Sequence, residues 1–356
     1  MSDTSPTIRP SRRVKPALLA VAVAAVLIAT VLAGCGSSSK KSSSSAPTQL
    51  RIAYQLIPNG DLIVKDKGWL EKALPNTKIK WMEFASGADV NTAVIAGSVD
   101  IGLAGSSPVA KGIAIGTEYQ VPWIFDVIGT AESLVASKAS GVKSIADLAG
   151  KKVATPFGST SHYSLLAALE GAGVNPSKVR IIDLEPQDIL AAWQRGDIDA
   201  AYVWNPTLAS LEKNGTVLIT SADLAKRGKL TADLAVVTTA FAKKYPAAVQ
   251  TWLNQETRAV QLFRSNPSDA SAAIARQLNI TPAEALDQAG QLIFLNASQQ
   301  AGSKYLGTPS APGALAGNLE SAAEFLKQQG QVDTVPPLAT FQDGLANQFV
   351  AKAAGK

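Results

Sequence analysis

Residues 157–169 read FGSTSHYSLLAAL and gather the side chains best suited to hold an anion. Ser159, Thr160, Ser161 and His162 follow a break at Pro156 and Gly158 and precede a Leu/Ala run, which predicts a helix that begins among hydroxyls. The first N–H groups of any helix lack intrahelical partners. Together with the hydroxyls and the positive end of the helix dipole, they suit an oxyanion. Tyr163 belongs to the same helix start. The stretch also reads as a plain capped helix with no ligand. His162, the only histidine of the chain, is equally a donor or a helix-start residue, and a lone histidine rules out a His-rich metal site.

A second set of donors stands in GSSP at 105–108, where Ser106 and Ser107 precede Pro108 after a strand-like segment. No arginine lies in either hydroxyl run, which argues against a phosphate or dicarboxylate held by a bidentate clamp. A sulfonate spreads one charge over three acceptor oxygens and asks for several neutral donors. Three further residues sit where a cleft would find them: Gln55 after the apolar run 50–54, Trp204 at the end of AYVW, and Asp233 in TADLAVV. An aromatic wall and a carboxylate would suit an ammonium. Each also has an ordinary reading: Gln55 as the cap of a sheet end, Trp204 as a core residue, and Asp233 as a solvated turn residue.

The elements that must position these residues alternate between β-type runs and helical periods, for example 50–56, 62–74, 79–84, 89–96 and 100–103. Such alternation predicts an α/β chain of βαβ units, with mainly parallel sheets flanked by helices and ligands beyond the strand ends. About 300 residues after position 49 exceed one comfortable core and predict two lobes. An internal echo supports this. AGSVDI at 96–101 leads to Ser107-Pro108, and RGDIDA at 195–200 leads to Asn205-Pro206. The expected division places lobe 1 at 50–138 and 233–356 and lobe 2 at 139–232, with crossings near 137–142 and 231–235.

The N-terminal part reads differently. Arg9, Arg12, Arg13 and Lys15 precede an apolar run over 17–33 that ends in Leu32-Ala33-Gly34-Cys35. A basic region, an apolar region and small residues before a cut describe a secretory signal. The tetrapeptide resembles the bacterial lipobox, so residues 1–35 are expected to be a lipoprotein signal peptide with Cys35, the only cysteine, as the lipidated residue. Residues 36–49 are Ser-rich and bury too little apolar surface to order themselves, as expected of a tether. Residues 1–49 carry six basic side chains against Asp3, so the whole formal charge of +5 belongs to them. The remainder is neutral, and a nucleic-acid partner is excluded.

The runs GSTSHYSLLAAL (158–169), AAWQRGDIDAAYVWNP (191–206), GSSP, AYQ (53–55) and TADLAVV (231–237) resemble the taurine-binding members of the sulfonate, nitrate and thiamine-precursor substrate-binding proteins of bacterial ABC importers. The resemblance spans roughly 50–350. It implies a two-lobed periplasmic-binding-protein fold of type II with the ligand cleft between lobes, and a monomer that delivers taurine or a related small sulfonate to a membrane permease with a cytoplasmic ATPase. An amine-free alkanesulfonate or nitrate is the alternative ligand. The implied contacts are Gln55, Ser106, Ser107, Ser159, Thr160, Ser161, His162, Tyr163 and Trp204, with Asp233 at the family's matching acid. The chain departs from the family at TADLAVV, which lacks the aromatic of the family's LDVW. An enzyme is not expected, and no cofactor is called for. The fold's thiamine-pyrimidine relative is Cys-rich, whereas the only Cys here is in the leader, and no GxSxG, HExxH or GxxxxGK motif occurs.

Overall fold

The computed structural model describes residues 46–356; the leader, Cys35 and nearly all of the tether lie outside the described residues. Two mixed sheets organise the chain. The first contains β1 (Gln49–Tyr54), β2 (Lys78–Glu83), β3 (Ile101–Gly105), β4 (Tyr119–Ile128), β10 (Ala232–Thr238) and β11 (Leu292–Ile293), in the order β11-β4-β10-β3-β1-β2. The second contains β5 (Glu132–Ser137), β6 (Lys152–Thr155), β7 (Arg180–Asp183), β8 (Ala200–Trp204) and β9 (Gly215–Thr220), in the order β7-β6-β8-β5-β9. Helices pack against both, so the α/β class and the two-sheet plan hold. Among the described residues no helix is long and apolar enough to cross a membrane.

Each sheet is parallel on one side and antiparallel on the other. The βαβ units supply the parallel pairs β1–β2, β1–β3, β6–β7 and β6–β8. The strands next to the crossings run the other way: β10 pairs antiparallel with β3 and β4, and β5 with β8 and β9. The first crossing occupies residues 129–131, earlier than the 137–142 expected, because β5 belongs wholly to the second sheet. Gly129 makes the turn possible, since a Cβ there would collide with the Gln291 carbonyl. The second sheet's share of chain therefore starts at Glu132 rather than at 139, and the return runs through residues 226–231, after the Ser221–Ala225 helix that packs on β9.

Beneath the first sheet, Asp61 at the start of the Gly60–Lys67 helix and Glu256 in the Pro246–Ser265 helix are both buried against each other, with no basic partner among the described residues. Burial pushes Asp61 up to about 7, and burial beside Asp61 pushes Glu256 well above the usual range. Both carboxyls bind protons more tightly folded than unfolded. Their stabilising contribution is therefore complete at acid pH; that of Asp61 is lost as pH rises from about 4 through about 7, and that of Glu256 as pH rises well above the usual carboxylate range. Glu256→Gln should flatten that decline and raise the melting midpoint on the alkaline side relative to the parent. Melting curves between roughly pH 5 and 8.5 test it; an unchanged slope would assign the pH dependence elsewhere.

Candidate functional site

Parallel strands end, and antiparallel strands begin, on the edges of the two sheets that face each other. The loops at the ends of β1, β3, β6 and β8 therefore meet the starts of β5 and β10. The narrow cleft they enclose has a cavity volume of about 30 Å³ and is lined by residues that include Gln55, Ile57, Gly105, Pro108, Glu132, Ser159, Thr160, Trp204, Asn205, Asp233 and Leu292. Cross-sheet contacts hold it together. Asn205 Nδ2 donates to Gln291 Oε1 at 2.9 Å, and Tyr163 meets Phe325 edge-on at 4.9 Å.

Of the residues singled out from sequence, Gln55, Ser159, Thr160, Trp204 and Asp233 line this cleft. Gln55 Nε2 donates to the Leu103 carbonyl at 3.1 Å, which fixes the amide at the end of β1. Ser159 is the N-cap of the Thr160–Gly171 helix; its Oγ accepts from His162 N at 3.1 Å and donates to the Pro156 carbonyl at 2.6 Å. The other five candidates do not line the cleft. Ser106 Oγ accepts from Ala232 N at 3.2 Å and so ties the Ser106–Ala114 helix to β10. Ser107 lies between the lining residues Gly105 and Pro108, and its hydroxyl is buried with no partner among the described residues. His162 stacks on Phe157 at 4.4 Å, its Nδ1 accepts from Gly158 N at 3.3 Å, and burial holds it down to about 4. A neutral ring that anchors a loop fits the helix-start reading of His162. Tyr163 packs in the core against Phe325, and Ser161 is buried beside Glu132.

Glu132 is the residue that the sequence reading missed. Its buried carboxylate accepts from Thr160 Oγ1 at 2.5 Å, Ser221 Oγ at 2.8 Å and Ser164 Oγ at 3.3 Å. Thr160, expected to face a bound anion, thus turns its hydroxyl onto a carboxylate of the protein itself. Burial raises Glu132, and these donors oppose the rise. Asp126 of β4 is the other omission. It pairs in register with Asp233 of β10, and it is fully buried with neither carboxyl oxygen matched to a donor. Burial, and then the charge of Glu132, push Asp233 up to about 7. Glu132 and Asp126 stand in apolar β-type runs, where the sequence carries no sign that they share a cleft edge.

Residues 59–270 match the NMT1/THI5-like family. The chain belongs to that family. Among its relatives, the taurine-binding periplasmic protein of Escherichia coli K12 is 36% identical over 263 residues, covering 72% of this chain and 79% of the relative. A putative aliphatic sulfonates-binding protein of the same organism is 33% identical and covers 66% of this chain and 73% of the relative. In three dimensions, the alkanesulfonate-binding protein SsuA from Xanthomonas axonopodis pv. citri, bound to MOPS, aligns with a TM-score of 0.70 at 22% identity over 85% of this chain and 99% of its own. That likeness establishes the two-lobed fold of the family for this chain.

Proposed function

We propose that this protein is the exported substrate-binding component of an ABC importer, that it captures taurine and that it is not an enzyme. The observation that carries the choice of taurine is the carboxylate pair Asp233 and Glu132, which lines one small cleft that has no Lys, Arg or His among its lining residues. Such a cleft favours a ligand with a cationic end. The ammonium would lie against Asp233 and Glu132, beside Trp204. The sulfonate would meet the N–H groups at the start of the Ser106–Ala114 helix and the Asn205 amide. The relatives named for taurine and for aliphatic sulfonates support this reading. Titration calorimetry with taurine, ethanesulfonate, nitrate and sulfate tests it. Taurine should bind most tightly; tighter binding of ethanesulfonate would replace it with the amine-free alkanesulfonate reading.

In the same proposal, lobe 1 is the six-stranded sheet with the C-terminal helices, and lobe 2 is the five-stranded sheet between the two crossings. The protein works as a monomer held at the outer face of the cell membrane by a diacylglyceryl group on Cys35 and the tether at 36–49. Two acyl chains suffice for stable anchoring. Cys35→Ser should therefore move the protein from the membrane fraction to the soluble fraction; full retention with membranes would sink the lipid anchor.

A further inference from the structure

Two carboxyls line the cleft, Asp233 from β10 and Glu132 from the start of β5, and a third, Asp126 of β4, is paired in register with Asp233. They are not equivalent. Glu132 has three hydroxyl donors, from Thr160, Ser164 and Ser221, and Ser221 is in turn met by Tyr202 Oη at 3.1 Å. That network favours the ionised form. Asp126 and Asp233 have no such support. Directly opposed residues of an antiparallel pair place their side chains on the same face about 4.5–5.5 Å apart. Asp233 lines the cleft, whereas Asp126 lies behind it, buried and without a donor among the described residues.

Besides burial, the charges that raise Asp126 are those of Asp233 and Glu132. Those acting on Asp233 are Glu132 and Asp126. On its other side Asp233 faces Gly105 of β3, which has no side chain, and β11 brings only Leu292 and Ile293 against β4. The helices packed on β4, Thr239–Lys244, Pro246–Ser265 and Asn347–Ala353, carry Lys243, Lys244, Glu256, Arg258, Arg264 and Lys352, none of which is hydrogen-bonded to Asp126. Three like charges buried side by side cannot all persist, and the least supported pair resolves this by keeping a proton between its two carboxyls.

Resting on the reading of taurine as the ligand, we infer that Asp126 and Asp233 share one proton in the empty cleft, that the incoming ammonium displaces this proton to solvent, and that taurine capture is therefore coupled to proton release. The balance is simple. The pair gives up one proton to the bulk, the ligand's ammonium takes its place as the compensating positive charge, and no bond of the ligand changes. Asp126 acts here as a positioning residue. It touches no ligand, but it sets whether Asp233 meets the ammonium as a carboxylate or as a shared acid. A ligand without an amine brings no charge to replace the proton, so its binding leaves the pair protonated.

The coupling has a direct readout. Taurine is titrated into the full chain at roughly pH 6, below the range where the pair gives up its proton, in buffers of different protonation enthalpy. The observed heat should vary with the buffer by an amount that corresponds to about one proton released per taurine, and affinity should fall about tenfold per pH unit on the acid side. Ethanesulfonate should show no buffer dependence. Asp126→Asn removes the partner that holds the proton, so taurine binding to this variant should lose both the buffer dependence and the acid-side fall. Should that variant melt before titration, the taurine and ethanesulfonate comparison on the parent protein decides alone. Taurine binding with no proton released, or equal release with both ligands, overturns the inference and leaves the ligand assignment standing. No taurine binding at any pH overturns both.

Discussion

Asp233→Asn should weaken taurine binding by about 3 kcal/mol, roughly a hundredfold, while leaving ethanesulfonate binding unchanged or improved. Asp233 is nearly closed to solvent at the edge of the cleft, where a charge-assisted hydrogen bond to an ammonium is worth more than at the surface. The amide keeps the size and removes the anion. For taurine this removes the partner of its cation. For ethanesulfonate it removes a carboxyl group that the ligand leaves unpaired. A structural role predicts another pattern, since misfolding would weaken both ligands alike. Affinities of parent and variant for both compounds distinguish these outcomes, and an equal loss would end the ammonium role of Asp233.

A comparable effect is expected from Gly105→Val, for a steric reason. Gly105 closes β3 with an ordinary negative φ of −63°, so a side chain costs nothing in backbone conformation. Across the cleft, however, a Cβ would lie 2.5 Å from Thr160 Cγ2. Thr160 cannot swing away freely, because its Oγ1 is held by Glu132. Overpacking of this kind costs about 1–3 kcal/mol, and here the cost falls on the approach of the two sheets rather than on either one. Taurine affinity should drop ten- to a hundredfold, while each lobe keeps its secondary structure and the ligand-free melting midpoint stays close to that of the parent. Undiminished affinity in the variant would show that the Gly105–Thr160 contact is not needed for capture.

Legibility in the sequence followed the range of the interactions involved. The helix start at Thr160, the strand ends carrying Gln55 and Trp204, and the acid at Asp233 are local patterns, and all lie where strand alternation implied. What the hydroxyls of that helix start bind is a tertiary matter. Glu132 reaches them only because β5 lies beside β8 in the second sheet. Asp126 is hidden for the same reason, since a register match between strands more than a hundred residues apart leaves no trace in either strand alone. His162 reads equally as a donor and as a helix-start residue, because polar residues at a helix start suit both a cap and a ligand site, and its stacking on Phe157 is a tertiary contact that the sequence does not announce. The misplaced first crossing has a similar cause. Residues 119–128 and 132–137 are both β-rich, and Gly129 marks the change of sheet only through its contact with Gln291, far along the chain.

The position of β10 in the first sheet bears on the order in which the molecule can assemble. β10 lies between β3 and β4 and hydrogen-bonds to both, yet it follows them only after the entire second sheet. As the chain emerges from N- to C-terminus, the five strands of the second sheet are all available by Thr220, within one continuous stretch, and that sheet can form early. β3 and β4 must wait meanwhile with two bare edges facing an empty slot, the kind of exposed edge that invites pairing with foreign strands. A chain that stops short of Ala232 would carry a complete second sheet and a first sheet split down its middle. The arrival of seven residues, Ala232–Thr238, heals that split, and with the same stroke Asp233 takes its place at the cleft. Binding competence thus waits on β10, and a product truncated before Ala232 has no route to a half-working receptor.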